Sequence, residues 1–313
     1  MFQGMRYVYE VYKEMSFSRA AKNLYISQPS LSTAVKKAED RIGFPIFDRS
    51  TSPIQLTELG REYIRAAETM LDVENGFRSY VDDLSGMRNG SLTIGATNLF
   101  ASFVLPPLLA RFIQKYPMIH IELAENGTVT LAEQLAAGKL DLVVDYALPD
   151  EAGFGRKFLF QEHLLLAVPA AFPCNDQARN YAFTPAAVKE DVHLTSRVPP
   201  VPLELFQEEP FLLLRQGNDT RERAEALCQT SRFFPKIRLE LEQQITTYHL
   251  TSSGMGISFV SDMLIKQIPD DPGVVFYKLD PRIATREAGF YYRRNRYMSR
   301  SVQEFLKLLN GAA

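Results

Sequence analysis

Ser16-Phe17-Ser18-Arg19-Ala20-Ala21-Lys22-Asn23-Leu24, then Ser27-Gln28-Pro29-Ser30-Leu31-Ser32, then Gly43-Phe44-Pro45-Ile46-Phe47-Asp48-Arg49: the reading of this stretch decides the fold. Its apolar positions keep helical spacing and are broken by turn signals. Ser18 predicts the N-cap of a short helix carrying Ala20, Ala21 and Leu24. Tyr25-Ile26-Ser27 reads as a tight turn. Ser27 predicts the cap of a longer helix, with Pro29 tolerated in a first turn whose N–H groups have no intrahelical partner. That helix buries Leu31, Ala34, Val35, Ala38 and Ile42 and ends at Gly43, as a C′ glycine would end it. Upstream, Met5, Val8, Tyr9 and Tyr12 recur at i, i+3, i+4 and i+7 and predict a first helix. Downstream, Pro45 to Ser50 and Ile54-Gln55-Leu56 predict a two-stranded hairpin, with Arg49 placed to touch phosphates.

The face of the longer helix opposite its apolar stripe carries Gln28, Ser30, Ser32, Thr33, Lys36 and Lys37. Short hydrogen-bonding side chains sit at its N-terminal half and cations further along. Such a face suits a recognition helix, whose first turns reach base edges in the major groove while lysines meet phosphates. An ordinary solvated helix face would look similar for a lone helix. Three short helices followed by a hairpin make a winged helix-turn-helix. Bulk charge gives little support: the whole chain is at −2, and residues 1–60 hold eight Lys plus Arg against six Asp plus Glu. A nucleic-acid role therefore rests on the motif.

The quoted stretch, continued by Glu39 and by Leu56-Thr57-Glu58-Leu59-Gly60, resembles the head of LysR-type transcriptional regulators without a gap over about forty-five residues. The resemblance implies a DNA-binding head over residues 1–60, with Ser18, Arg19, Gln28, Pro29, Ser30, Ser32, Thr33, Lys36, Lys37 and Arg49 facing double-stranded promoter DNA. One departure concerns the wing. It reads Ser50-Thr51-Ser52-Pro53-Ile54-Gln55, without the second basic residue that family members often carry there.

Thr57 predicts the cap of a long helix over residues 57–86. Leu59, Tyr63, Ala66, Met70, Val73, Phe77, Tyr80 and Leu84 are spaced alternately by four and three, a heptad seam sustained over more than three heptads. Such a seam needs a partner helix, either within its own domain or in another copy. The resemblance implies an antiparallel pair, hence a homodimer or homotetramer whose paired heads read two half-sites. Ser85-Gly86-Met87-Arg88-Asn89-Gly90 reads as a hinge.

From Ser91 the pattern becomes βαβαβ: strands at Leu92–Ala96, Ile119–Leu123 and Leu142–Val144, helices at Phe103–Tyr116 and Val129–Ala137. A second set follows, with strands at Leu164–Val168, Phe211–Leu214, Ile237–Leu239, Gly256–Val260, Val274–Tyr277 and Gly289–Tyr292, and a terminal helix Ser299–Leu309. This is similar to the family's periplasmic-binding-protein-like α/β sensor of two lobes. The crossings are placed near Gln161-Glu162 and Leu264-Ile265, giving lobe I as 91–161 with 266–313 and lobe II as 162–265. The segment Asp176–Glu209, rich in Pro, shows little strand pattern.

Ligands in open α/β sheets bind beyond the C-terminal strand ends, where helix N-termini point. That places Thr97, Asn98, Thr128, Gln216, Asn218 and Gln244 at a small-molecule effector site, with Phe259 and Val260 as its apolar side. Hydroxyls, amides and backbone N–H groups there favour an anion such as a carboxylate.

Other function classes find less support. His163, His193 and His249 are scattered without metal-ligand spacing, so neither a metal nor a cofactor is expected. Cys174 and Cys228 form no CxxC. Gly254-Met255-Gly256-Ile257-Ser258 is neither a nucleophile elbow nor a dinucleotide fingerprint, so an enzyme is not expected. A transport solute-binding protein would fit residues 91–313 but not the head. The first residues lack the layout of a signal peptide and no apolar run approaches a membrane span, so the expected place is the cytoplasm, with RNA polymerase as a further partner and no membrane contact.

Overall fold

The computed structural model describes residues 4–51, 53–84, 90–149, 153–294 and 296–311. They divide into an N-terminal unit that ends with a long helix and a C-terminal unit that begins with the strand after it.

The N-terminal unit is α1 (Met5–Glu14), α2 (Phe17–Asn23), α3 (Gln28–Ile42), the hairpin β1 (Phe47–Asp48) and β2 (Gln55–Leu56), and α4 (Glu58–Leu84). Helix α3 starts as its sequence predicts: Ser27 Oγ accepts from Ser30 N, and Gly43 closes it at φ 85°. Helix α2 starts two residues earlier than expected. Ser16, not Ser18, is its cap, its hydroxyl accepting from Arg19 N. The helix ends in a Schellman motif, with Ile26 N bonded to Ala21 O and Tyr25 N to Lys22 O. The left-handed residue of that motif is Tyr25, at φ 54°, where glycine is the usual choice. Val8, Val11, Leu31, Val35, Ile46 and Phe47 form the core, each burying on the order of 2 kcal/mol of side chain. Tyr63, Ile64 and Ala67 of α4 join the same core.

Thr57 anchors the wing to α4. Its N–H donates to Ile46 O at 3.0 Å, its hydroxyl donates to Pro45 O at 2.8 Å, and that hydroxyl accepts from Gly60 N at 2.9 Å. Gly60 permits this approach, since a Cβ there would lie 2.1 Å from Ile46 O.

The C-terminal unit carries one ten-stranded sheet. Its first lobe holds β3 (Gly90–Ala96), a π-helical turn at Phe100–Val104, α5 (Leu105–Lys115), β4 (Ile119–Glu125), α6 (Thr128–Ala136) and β5 (Leu142–Asp145). The strands β3, β4 and β5 are parallel, as the βαβαβ reading requires. Strand β6 (Phe154–Pro169) then runs for 16 residues from one lobe into the other.

The second lobe follows with α7 (Cys174–Ala178), β7 (Ala182–Phe183), α8 (Pro185–Lys189), α9 (Val192–Thr195), β8 (Pro210–Leu214), α10 (Asp219–Thr230), β9 (Lys236–Leu241), α11 (Gln244–Ser252), β10 (Ile257–Ser261), α12 (Asp262–Gln267) and β11 (Val274–Lys278). After α13 (Pro281–Ala284), β12 (Thr285–Arg293) returns to the first lobe, and α14 (Arg300–Lys307) follows. The strand order is β4-β3-β5-β12-β6-β10-β8-β9, with β11 paired to β6 and β7 to β11. Residues 176–209 are thus short helices and one two-residue strand.

The crossings need correction. The first lies at His163/Leu164: His163 pairs with Thr285 of β12, while Leu164 pairs with Ser261 of β10. The second is not at Leu264-Ile265. Those two side chains are buried on α12 within the second lobe, and β11 still pairs with Leu165–Pro169 of β6. The chain returns only at Thr285, so residues 266–284 belong to lobe II. The predicted hinge from Ser85 to Asn89 lies outside the described residues.

Candidate functional site

The exposed face of α3 presents Gln28, Pro29, Ser30, Thr33, Lys36 and Lys37, with Ser32 half-buried. Ser18 and Arg19 are exposed on α2, and Arg19 pairs with Glu14 at 3.3 Å. No sequence signal pointed to Tyr25, which is 96% exposed in the turn just before α3. Its left-handed φ, rare for an aromatic residue, is the feature that marks it.

Arg49 does more than expected. Its Nη2 donates to Glu39 Oε2 at 2.9 Å, its Nη1 to Ser32 Oγ at 3.4 Å, and its guanidinium lies 4.8 Å over the Phe17 ring. Glu39 in turn accepts from Ile46 N and Phe47 N at 2.9 and 3.2 Å. One carboxylate therefore ties the wing backbone and the wing arginine to α3. Arg49 is a brace of the wing that still leaves part of its surface exposed.

On α4 the predicted seam divides. Tyr63 is buried in the head core and is not available to a partner helix. Leu59, Ala66, Met70, Val73 and Phe77 are exposed, Phe77 by 67%, and Tyr80 is half-exposed. The side chain of Leu84 lies outside the described ones. An apolar stripe of this size on a helix roughly 40 Å long is a surface that solvent does not favour.

In the C-terminal unit one cleft collects the ends of several strands and the starts of several helices. Its lining includes Thr97, Asn98, Leu99, Thr128, Asp145, Tyr146, Leu214, Asn218, Asp219, Thr220, Glu242, Gln243 and Gln244, and its volume, open mouth included, is about 410 Å³. Thr97, Asn98, Thr128, Asn218 and Gln244 are therefore brought together. Gln216 is exposed outside this lining. Phe259 is also outside it: the side chain is buried in the second lobe's core, stacked on Phe211. Val260 is buried in a neighbouring core. Period-two alternation sends successive side chains of β10 to opposite faces of a sheet covered on both, so neither residue reaches the cleft.

The floor of the cleft was not foreseen from the sequence. Asp145 accepts from Thr128 Oγ1 at 2.8 Å and from Tyr146 N at 2.8 Å. Burial pushes its carboxyl up to about 6, against the pull of those hydrogen bonds and of Arg286. Arg286 is itself buried and lies 3.6 Å over the Tyr146 ring. Its Nε donates to Glu162 Oε1 at 2.7 Å, and its Nη1 to Asp219 Oδ2 at 2.6 Å and Thr220 Oγ1 at 3.0 Å. Gln244 donates from Nε2 to Thr220 Oγ1 at 2.7 Å and accepts from Ser261 N at 3.1 Å, so its amide is committed to the wall. The first turn of α10 is capped by Asn218, whose Oδ1 accepts from Thr220 N.

Both cysteines are buried, and burial pushes each thiol up to about 12, which opposes a reactive thiolate.

Two family models match the chain: the bacterial regulatory helix-turn-helix protein of the lysR family over residues 2–61, and the LysR substrate binding domain over residues 85–313. The chain belongs to the LysR family of transcriptional regulators. Among its relatives, the uncharacterized HTH-type transcriptional regulator YcgK of Bacillus subtilis (strain 168) is 30% identical over 305 residues, covering 97% of this chain and 92% of that one. A probable RuBisCO transcriptional regulator of Emiliania huxleyi is 28% identical, with 97% and 92% covered. A full-length OxyR variant from Pseudomonas aeruginosa has the same fold at TM-score 0.71 and 24% identity, covering 99% of this chain and 94% of that one. Full-length CbnR in complex with its target DNA matches at TM-score 0.64 and 18% identity over all of both chains. This LysR-type regulator is thus a DNA-binding transcription regulator with an effector-binding domain, and its family is one of regulators rather than enzymes. The expected fold, a winged helix-turn-helix followed by a long helix and an α/β sensor, is borne out. No described helix is long and apolar enough to cross a membrane.

Proposed function

We propose that this regulator works on promoter DNA, in the cytoplasm, as a homodimer or as a homotetramer built from such dimers, its copies joined along the exposed stripe of α4 from Met70 to Tyr80. Two heads on one assembly double the contact that a single, nearly neutral head makes, and two-fold symmetry suits two half-sites. The α3 face from Gln28 to Lys37 reads the major groove, with Tyr25 and the wing beside it. The cleft takes a small-molecule effector, and the resulting change in the assembly is passed to DNA and RNA polymerase.

The observation that carries the effector reading is the convergence of Thr97-Asn98, Thr128, Asn218 and Gln243-Gln244, all at helix starts, on one cleft that also holds the buried Asp145. Helix starts favour an anionic group. Yet Asp145, Asp219 and Glu242 also line the cleft, and the cations nearest them are engaged: Arg286 by Glu162 and Asp219, Arg215 by Glu242 at 2.8 Å. A purely anionic ligand would face three carboxylates. The effector this lining supports carries an acceptor for the helix starts and a donor for Asp145, as a small amino acid or hydroxy acid does.

The test is a thermal-shift panel of free amino acids, hydroxy acids and simple dicarboxylates on the full chain, read beside binding to DNA from upstream of its own gene. An amino or hydroxy acid should raise the transition and alter DNA binding, and Thr128→Val with Asn218→Ala should lose that response while keeping basal DNA binding. A double variant that responds like the parent removes the cleft from the reading; a response to simple dicarboxylates alone removes the donor requirement.

A further inference from the structure

His163, His193 and Asp262 come from three separate parts of the sensor, and their ligand atoms lie within 4.8 Å of one another. His163 stands at the first crossing on β6, Asp262 opens α12, and His193 lies on α9 in the Pro-rich segment to which no role has been given. His193 Nε2 is 3.2 Å and His163 Nδ1 3.4 Å from the same oxygen, Asp262 Oδ2. Asp262 Oδ1 accepts from His163 N at 3.0 Å, which fixes the carboxylate plane. His193 and Asp262 are buried, and His163 keeps 24% of its side chain open to solvent.

We propose that this trio is a binding site for a divalent transition cation of the zinc type, with His163 Nδ1, His193 Nε2 and Asp262 Oδ2 as its three protein ligands. Bonds of about 2.0–2.1 Å in tetrahedral geometry place neighbouring ligand atoms about 3.3 Å apart, the separation found on both histidine–carboxylate edges. Two imidazoles and one carboxylate form a donor set that suits such an ion, with the fourth position left to water on the open side of His163. Around Asp262 stand the backbone N–H of His163 on Oδ1 and both imidazoles and Lys266 Nζ on the Oδ2 side, a setting that suits a carboxylate ligand.

Lys266 is the competitor. Its Nζ lies 3.8 Å from Asp262 Oδ2 and also pairs with Asp191 Oδ1 at 2.5 Å. With Asp191 to hold it, Lys266 can yield its place beside Asp262 to a metal ion without becoming an unpaired charge.

Equilibrium dialysis of the full chain against zinc, with cobalt as a visible-absorbing substitute, tests the site. The parent should bind one equivalent more than His163→Ala, and cobalt should give the absorption of a four-coordinate nitrogen–oxygen site that this variant lacks. His163 is partly exposed, so its removal leaves the fold in place, which circular dichroism and DNA binding check. Loss of this direct ligand should weaken zinc by more than the roughly 10–100-fold that loss of an outer-shell partner costs. Lys266→Met should tighten it. Equal zinc stoichiometry and affinity in parent and His163→Ala, or a cobalt spectrum that stays octahedral in the parent, would reduce the trio to a hydrogen-bonded cluster.

Discussion

Arg286 Nη1 lies 2.6 Å from Asp219 Oδ2, so a guanidinium rooted in the returning strand β12 holds a carboxylate at the first turn of α10 on the far wall of the cleft. The same side chain is held by Glu162 on β6, and Glu162 also accepts from Ser261 Oγ at 2.7 Å. Removing one partner of a buried ion pair leaves the other charge stranded, at a cost of about 3–5 kcal/mol. Arg286→Met should destabilise the sensor by that order, and Arg286→Met with Glu162→Leu by clearly less. Urea unfolding of both full-length variants checks the ranking.

Asp145 makes the sensor's stability depend on pH. Its folded carboxyl is raised from 3.8 to about 6, so the folded state prefers the neutral acid. That preference is fully present below 3.8 and is lost as pH rises through about 6. Asp145→Asn should therefore stabilise the fold near neutral pH, by up to roughly 3 kcal/mol at about 1.36 kcal/mol for each pH unit between 3.8 and 6, and leave stability almost unchanged at about pH 4. Thermal unfolding at the two pH values decides it.

Lys36 and Arg49 should differ in a way that separates contact from support. Lys36→Ala removes one cation from the α3 face, so the salt dependence of DNA binding should flatten by about one phosphate while stability is unchanged. Arg49→Ala should also loosen the wing, because Glu39 and Ser32 lose their shared partner. A titration of DNA affinity against salt, paired with a melting curve, distinguishes the two.

Gly60→Ala places a methyl group 2.1 Å from a backbone oxygen that cannot rotate away. The wing or the start of α4 must shift, with a loss of at least about 2 kcal/mol from the head and weaker DNA binding. Gel-shift and differential scanning measurements on the full chain would show both.

Phe77→Glu puts a charge on the most exposed large apolar position of the α4 stripe. Sedimentation should show the assembly falling to monomer; an unchanged assembly would place the contact elsewhere.

Much of the head was legible because its signals are local. Ser27, Gly43 and Thr57 punctuate their elements through bonds to the chain within a few residues, and those bonds are present. The parallel strands β3, β4 and β5 were legible through apolar runs between helices. What escaped is long-range. The first half of β6, Phe154–Glu162, mixes Gly, Arg, Lys and Gln, and it is a strand because β12 pairs with it from more than a hundred residues away. The heptad count assigned Tyr63 to the seam because spacing cannot tell which of two neighbours a helix face meets. The cleft residues at helix starts were readable from strand ends, but Asp145, Arg286 and Glu162 were not, since nothing in spacing links positions 145, 162 and 286.

The continuity of β6 has a mechanical consequence. Two lobes joined by single flexible segments can swing like jaws. Here β6 and β12 run up to the crossing as one hydrogen-bonded antiparallel ribbon, paired from Phe154/Arg293 to His163/Thr285 with an irregularity at Ala288/Gly289, and β6 continues unbroken into the second lobe. A paired ribbon of this length should resist bending in its own plane more than twisting, which would favour a torsional motion of the lobes over a jaw-like one. An occupied cleft would then be communicated as a small change of pitch between lobes. A rotary signal of this kind would suit the paired heads proposed above, whose angular setting it could change.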